Sequence, residues 1–300
     1  MTRVCEGVGA GDARTAAAAV EVRPLSTHED FAACVELQRL TWGGDFSDVV
    51  PASLLKVVPK VGGVVAGAFG GDGRMLGFVF GMTGMRDGRA AHWSHMLAVR
   101  PEARNLGIGR RLKEYQREAV AKLGVEEIYW TFDPLIARNA HLNLTRLGAE
   151  VVEYSPDMYG RTGSDLHVLG TDRLVVVWRI AAGEWAGERA GDRAAAPPGV
   201  DAAPPGVDAA PVVNRGPGGE PLADTGAFDE HPLVRIEVPA DIDAVRAVSL
   251  DLAVRWRDSV RRAFLWYLGR GYRVVGFSRE LEAGRCHYVL AAPSAAGVDS

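Results

Sequence analysis

Residues 96–112 join a short apolar strand to an amphipathic helix through a loop that contains two glycines. Gly107 and Gly109 lie where the predicted helix begins. Glycine allows the backbone to approach a ligand closely, and the first N–H groups of a helix have no partner within that helix. These N–H groups and the helix dipole attract an anion. The segment therefore predicts a pyrophosphate-binding loop between a strand and a helix that packs one side on a sheet.

Two other phosphate-binding motifs also combine a strand, a glycine-containing loop and a helix N-terminus. A dinucleotide-binding loop has the pattern Gly-x-Gly-x-x-Gly with an acidic residue about 20 residues later, whereas here the first position is Arg104 and the third glycine is missing. A P-loop requires Gly-Lys-Ser/Thr, which the segment lacks. With its preceding strand at 96–99, Arg104-x-x-Gly107-x-Gly109 instead resembles the acyl-CoA signature of the GNAT N-acyltransferase superfamily, Arg/Gln-x-x-Gly-x-Gly/Ala.

The resemblance implies the GNAT fold, an α/β (α+β) protein with a mixed sheet, and an acyl-CoA co-substrate, most simply acetyl-CoA. Strand-like runs at 61–69, 75–82, 90–99 and 127–132 match that topology. In this family the end of the strand before the loop lends backbone N–H groups to the thioester carbonyl, and the loop backbone holds the pyrophosphate. The donor-binding residues implied in this way are Leu97, Ala98, Val99, Arg104, Asn105, Leu106, Gly107, Ile108, Gly109 and Arg110, with Asn139 on the next helix. No metal ion is expected.

The catalytic groups depart from the family pattern. Members often place a tyrosine acid four residues before a glycine in the following helix, and here that position holds Leu144, ahead of Gly148. For the base that takes the amine proton, His95 on the third of these strands and Asp133 at the end of the next strand are the candidates, since histidine titrates near neutral pH. Asn143, one helical turn after Asn139, is the third catalytic candidate. A structural role is the alternative for each.

The acceptor side is predicted from Tyr159 and Arg173. An arginine suits a carboxylate because its planar fork binds both oxygens, although a pair between Asp172 and Arg173 that stabilises a turn is the alternative. Subgroup members resemble acylators of small amines such as amino acids, so we expect a small-molecule amine acceptor. Arg257 and Arg261 share a face of the C-terminal helix; a solvated face is the favoured interpretation, and contact with a donor phosphate or a dicarboxylic acyl group is the alternative.

The chain is expected to comprise four segments. Residues 1–19 form a disordered tail, and residues 20–181 form the GNAT domain. Residues 182–231 form a disordered linker, because they are rich in Ala, Pro and Gly and repeat Ala-Ala-Pro-Pro-Gly-Val-Asp without change. Residues 232–292 form a C-terminal β-α-β-β subdomain, a partial GNAT-like unit that packs on the first domain because it is too small for a confident core of its own.

Composition excludes several other classes. A net charge of −4 over 300 residues gives no basic footprint for nucleic acid, and no apolar run is long enough to span a membrane. Three widely spaced cysteines and the absence of an apolar leader core predict a cytoplasmic protein. The oligomeric state is open, with a homodimer as one option. Two functional alternatives also stay open, a catalytically silent acyl-CoA-binding module and a transferase of succinyl or other acyl groups.

Overall fold

A computed structural model of the protein describes residues 20–160, 167–180, 206–216, 218–222, 228–280 and 282–293. The chain divides into two compact units. Among the described residues, the first unit holds residues 20–129 and Ile180, and the second holds the rest. The predicted disordered tail at 1–19 lies outside the described residues.

The first unit is built on an antiparallel meander. Its strands are β1 (Glu21–Pro24), β2 (Val64–Phe69), β3 (Met75–Arg86) and β4 (Arg89–Val99). The start of β5 (Glu127–Phe132) pairs with β4 in parallel. These strands confirm the predicted meander, and the parallel pair makes the sheet mixed.

Helices cover both faces of the meander. Helix α1 (His28–Trp42) begins at Thr27, whose side chain forms a capping box with Asp30, and α2 (Ala52–Val57) follows it. Both helices pack against Phe78 and Phe80 of β3. On the opposite face Val79 packs against α3 (Ile108–Ala121). Neighbouring residues of β3 thus point to opposite cores, which is the period of two that a strand imposes.

The second unit contains the end of β5, the helix and two strands that follow it, and the C-terminal elements. Helix α4 (Ala137–Ala140) continues as a π-helical turn over His141–Arg146, and β6 (Glu150–Ser155) and β7 (Arg173–Arg179) follow. The seven strands have the order β1-β2-β3-β4-β5-β7-β6. This order confirms the predicted α/β fold with a mixed sheet.

The C-terminal β-α-β-β unit is also present. Its elements are β8 (Leu233–Pro239), α5 (Ile242–Val248), α6 (Leu250–Leu268), β9 (Arg273–Glu280) and β10 (Arg285–Ala291), and its antiparallel sheet has the order β8-β10-β9. The sequence predicts one helix here, but Ser249 is extended and caps α6 through Leu252 N–H, so the chain forms two.

The described part of the predicted linker differs from the expectation of disorder. Asn214 is fully buried, and its carboxamide both donates to Glu237 O, at 2.9 Å, and accepts from Glu237 N, at 2.7 Å. Val212 forms a parallel bridge with Arg235 on β8. These specific backbone contacts order the segment despite its Pro and Gly content. Residues 182–205 lie outside the described residues.

Candidate functional site

The loop before α3 has the geometry of an anion-binding site. Asn105 and Gly107 adopt the left-handed conformation, with φ of 65° and 74°. Gly107 is the N-cap of α3 and provides no side-chain cap, and the first turn carries no acidic residue. No atom of the described residues lies within 4 Å of the place where a Gly107 side chain would begin. The first N–H groups of this 14-residue helix therefore have no side-chain cap, and the dipole of the helix favours an anion beside them.

The loop is anchored by its apolar residues and exposes the rest. Ile108 is buried in the core beneath α3, and Leu106 packs against the same cluster. Arg104, Asn105 and Gly107 are exposed. Arg110 is also exposed and pairs with Glu114 one turn later, Nε to Oε1 at 2.7 Å. The loop thus presents backbone and basic groups outward from a fixed base.

The end of β4 leads directly into this loop. Ala98 is buried, whereas Leu97 and Val99 are half-buried against α3. Parallel pairing of β4 with β5 covers Ala91–Trp93. The last residues of β4 extend beyond that paired stretch.

His95 occupies a β-bulge in β4. Phe80 pairs with Met96 and Gly81 pairs with Ser94, so His95 is the extra residue between them. A bulge turns a side chain out of the regular alternation and is common beside active sites. Burial lowers the pKa of His95 below its ordinary value, so the imidazole is neutral at pH 7 and can accept a proton.

His92, the other histidine of this strand, lies in a different environment. It is fully buried, and its Nδ1 lies 2.9 Å from Thr83 Oγ1. Burial, together with the charge of Lys113, lowers the pKa of His92 to about 4. The sequence does not separate the two histidines, but the bulge and the enclosure of His92 do.

The predicted catalytic carboxylate belongs to an ion-pair cluster in the second unit. Asp133 Oδ1 accepts from Leu135 N, at 2.8 Å, and Oδ2 accepts from Arg257 Nη2, at 2.6 Å. Arg173 Nη1 lies 3.9 Å from the same Oδ2. Arg173 also lies over the Tyr159 ring, whose hydroxyl is 3.0 Å from Thr131 Oγ1. The structure thus brings together Asp133, Tyr159 and Arg173, three residues that the sequence singles out separately.

Asn139 lies on α4, and Asn143 lies in the π-helical turn that follows it. Asn143 is buried, and its Oδ1 accepts from Trp130 Nε1 at 3.1 Å. Asn139 is half-buried on α4. Leu144, at the position of the family's tyrosine, is buried in the core. Asn143 therefore orients an indole, which favours the structural alternative for this residue.

Two expectations about charged side chains are wrong. Asp172 does not form its side-chain pair with Arg173; it is fully buried and accepts from Arg261 Nε at 2.8 Å and from the Tyr154 hydroxyl. Arg257 and Arg261 do not form a solvated face, because each pairs with a carboxylate of an earlier segment. Helical spacing places the two arginines side by side, but it carries no information about which surface covers them.

Thr131 and His167 are the members of the cluster that sequence reasoning misses, and Arg257 is named there only for a solvated face or for contact with the donor. His167 Nε2 lies 2.8 Å from Arg173 Nη2. The i,i+4 spacing of Arg257 and Arg261 is the one local signal. Within the described residues no group of three His, Cys, Asp or Glu side chains is arranged to hold a metal ion, and none of the helices there is long and apolar enough to cross a membrane.

Comparison with known proteins gives a family for the first part of this architecture. Three similar solved structures are the NatC complex bound to Gag peptide and CoA (17% identity, 54% of this chain and 99% of that chain, TM-score 0.43), an aminoglycoside 6′-N-acetyltransferase complexed with coenzyme A (16%, 54% and 97%, 0.42), and the ribosomal-protein-S18-alanine N-acetyltransferase from Escherichia coli (18%, 56% and 99%, 0.42). No curated protein matches the chain. Residues 35–148 match the model of the Acetyltransferase (GNAT) family. This match includes β2 to β4, the glycine loop and α3, so residues 35–148 are similar to the GNAT acetyltransferase family.

Proposed function

We propose that the protein transfers an acyl group, most simply acetyl from acetyl-CoA, to the amine of a small molecule such as an amino acid. The observation that carries the proposal is the uncapped start of α3 behind the left-handed Asn105 and Gly107. Backbone N–H groups at this position bind a pyrophosphate without any side chain. Arg104 and Arg110 add positive charge beside the loop.

The transfer proceeds by direct attack in a ternary complex. The amine nitrogen forms a bond to the acyl carbon, the carbon–sulfur bond breaks, and CoA leaves as the thiolate, which takes a proton from water. Backbone N–H groups of Leu97 and Val99 are the proposed donors to the carbonyl oxygen, on which negative charge develops. His95, neutral at pH 7 and placed in a bulge, is the proposed base for the amine proton.

A catalytically silent acyl-CoA-binding module is the second candidate. It is favoured by Leu144 at the tyrosine position and by the engagement of Asn143 with Trp130. The identity of the acyl group is also a proposal, since no described residue distinguishes acetyl from succinyl or longer donors.

The test is thiol release from acetyl-CoA by the purified full chain with a panel of amino acids and simple amines. Release that depends on the acceptor supports the transferase. Tight CoA binding by calorimetry without such release identifies the silent module. Parallel assays with succinyl-CoA decide the acyl group.

A cytoplasmic location belongs to the same proposal. Cys34 and Cys286 are free, buried thiols, which supports a reducing compartment. Nucleic acid and membrane are not among the proposed partners, and a homodimer is proposed as one option for the assembly.

A further inference from the structure

Two buried arginines surround one carboxylate in the second unit. The side chains of Arg257 and Asp133 are 4% and 14% exposed, and that of Arg173 is 10% exposed. Arg257 reaches the carboxylate from α6, and Arg173 reaches it from the start of β7. The cluster thus depends on segments that are far apart in sequence.

The hydrogen bonds of Arg257 are incomplete. Its Nε donates to Leu169 O at 3.0 Å, and its Nη2 donates to Asp133 Oδ2 at 2.6 Å. Its Nη1 is buried and has no hydrogen-bond partner among the described residues. Buried donors of native proteins are almost always paired, because an unpaired one loses its water without compensation. The Nη1 group therefore indicates an acceptor atom other than those of the described residues.

Arg173 and Arg257 have one nearby carboxylate between them. Asp172, the other buried carboxylate nearby, already accepts from Arg261, the Tyr154 hydroxyl and Asp157 N. Among the described residues, Asp133 is therefore the one carboxylate that Arg173 and Arg257 share. The Asp133 carboxylate holds the pKa of Arg257 above its ordinary value despite burial, so Arg257 stays charged.

We propose that Arg257 and Arg173 bind the carboxylate of the acceptor, so that the substrate is an amine that also carries a carboxylate, as an amino acid does. The inference rests on the proposed transferase function and narrows its substrate class. A guanidinium binds a carboxylate through paired N–H groups, and the buried Nη1 of Arg257 has such an N–H group without a partner among the described residues. Tyr159, whose ring lies under Arg173, closes one side of this group.

The test compares matched acceptors with the full chain. Each amino acid is assayed beside its neutral amide and beside the amine that lacks the carboxylate, with thiol release from acetyl-CoA as the readout. We expect the acids to exceed both partners in kcat/KM by roughly 30-fold or more, the size of effect seen when one partner of a buried charge pair is removed. Phosphoethanolamine tests the alternative that the site takes a phosphate monoester.

A variant pair assigns the effect to the cluster. Arg257→Met should abolish the preference for acids over amides, whereas Arg255→Met, exposed on the same helix, should keep it. Both variants are checked by thermal melting. If Arg257→Met does not fold, the ratio of kcat/KM for acids to kcat/KM for amides is compared between the unmodified protein and Arg173→Lys instead. An unchanged ratio in Arg173→Lys overturns the assignment to the cluster.

The outcomes separate the two proposals. Equal turnover of acids and amides, or preference for phosphoethanolamine, overturns the carboxylate site and leaves the transferase intact. Absence of turnover with every amine, while CoA binds, overturns the transferase. In that case calorimetry of the amino acids against the CoA-loaded protein still tests the carboxylate site, and no heat from any of them overturns it as well.

Discussion

Replacing Gly107 by alanine tests whether the backbone of the glycine loop holds the donor. Gly88, in the turn between β3 and β4, offers a matched control. The two glycines have φ of 74° and 77°, and no atom of the described residues lies within 4 Å of a side chain added at either. Alanine therefore meets the same backbone strain and the same open space at both positions.

We expect Gly107→Ala and Gly88→Ala to lose the same stability, but only Gly107→Ala to lose affinity for CoA. Left-handed alanine costs about 1 kcal/mol in each variant. At Gly107, rotation of the peptide to relieve this strain turns a first-turn N–H group of α3 away from the pyrophosphate. One hydrogen bond to a charged group contributes about 1.5–3 kcal/mol, so the Kd for CoA should rise roughly 10- to 100-fold.

Calorimetric titration of CoA measures the Kd, and urea unfolding measures the stability of each variant. We expect similar losses of stability in Gly107→Ala and Gly88→Ala, with the Kd changed in the first alone. An unchanged Kd in Gly107→Ala, or an equal rise in Gly88→Ala, refutes the assignment of the loop to the donor.

Three further predictions concern single side chains. His95→Ala should lower kcat/KM and remove the loss of rate at acid pH, because the base acts only when unprotonated; a variant that keeps the wild-type pH profile of kcat/KM excludes His95. His92 has a folded pKa of about 4, below the unfolded value, so its contribution to stability is complete above pH 6.5 and is lost as the pH falls towards 4. In His92→Gln, urea unfolding should therefore show about 3 kcal/mol less loss of stability over this pH range than in the wild type. The same loss of stability with falling pH in both proteins contradicts this prediction. Asp172→Asn should destabilise the protein by about 1.5–3 kcal/mol at pH 7, because Arg261 loses its charged hydrogen bonds to the buried carboxylate and keeps only Asp157. The pKa of Asp172 is lowered in the folded protein, so this difference should shrink below about pH 4, and a difference that is independent of pH argues against the pair.

Local chemistry explains why the sequence predicts the donor loop. The glycines, the apolar strand and the helical spacing that follow one another at 96–112 each act over a few residues. The bulge at His95 is different, because it depends on the register between β3 and β4 and leaves no pattern in either strand. Sequence reasoning therefore finds the histidine but not the reason for its orientation.

The cluster around Asp133 cannot be predicted from local sequence either, because it also depends on tertiary packing. Asp133 and Arg257 are 124 positions apart, and their meeting depends on how α6 packs on the segments around β6 and β7. The ordered part of the predicted linker shows the same limit. Composition indicates disorder at 206–216, whereas the Asn214 carboxamide and the Val212–Arg235 bridge hold this segment along β8.

The topology of the second unit explains how α6 comes to supply these arginines. The segment β5-α4-β6-β7 has the strand order β5-β7-β6, and the C-terminal segment repeats it as β8-β10-β9. The contacts between the two segments are reciprocal: α6 touches β6, β9 touches the π-helical turn, and β6 touches β9.

Exchanging the two segments interchanges the first two of these contacts and returns the third to itself, as a pseudo-twofold axis between β6 and β9 requires. Aromatic side chains of both segments also pack together. Phe264 stacks on Tyr154 of β6, and Tyr288 packs on both Phe264 and Phe277 of β9, with ring centroids 4.8–5.3 Å apart. The C-terminal segment is thus held in the place that a symmetric partner of the first would take, and Arg257 and Arg261 approach Asp133 and Asp172 because that packing turns their face of α6 inward.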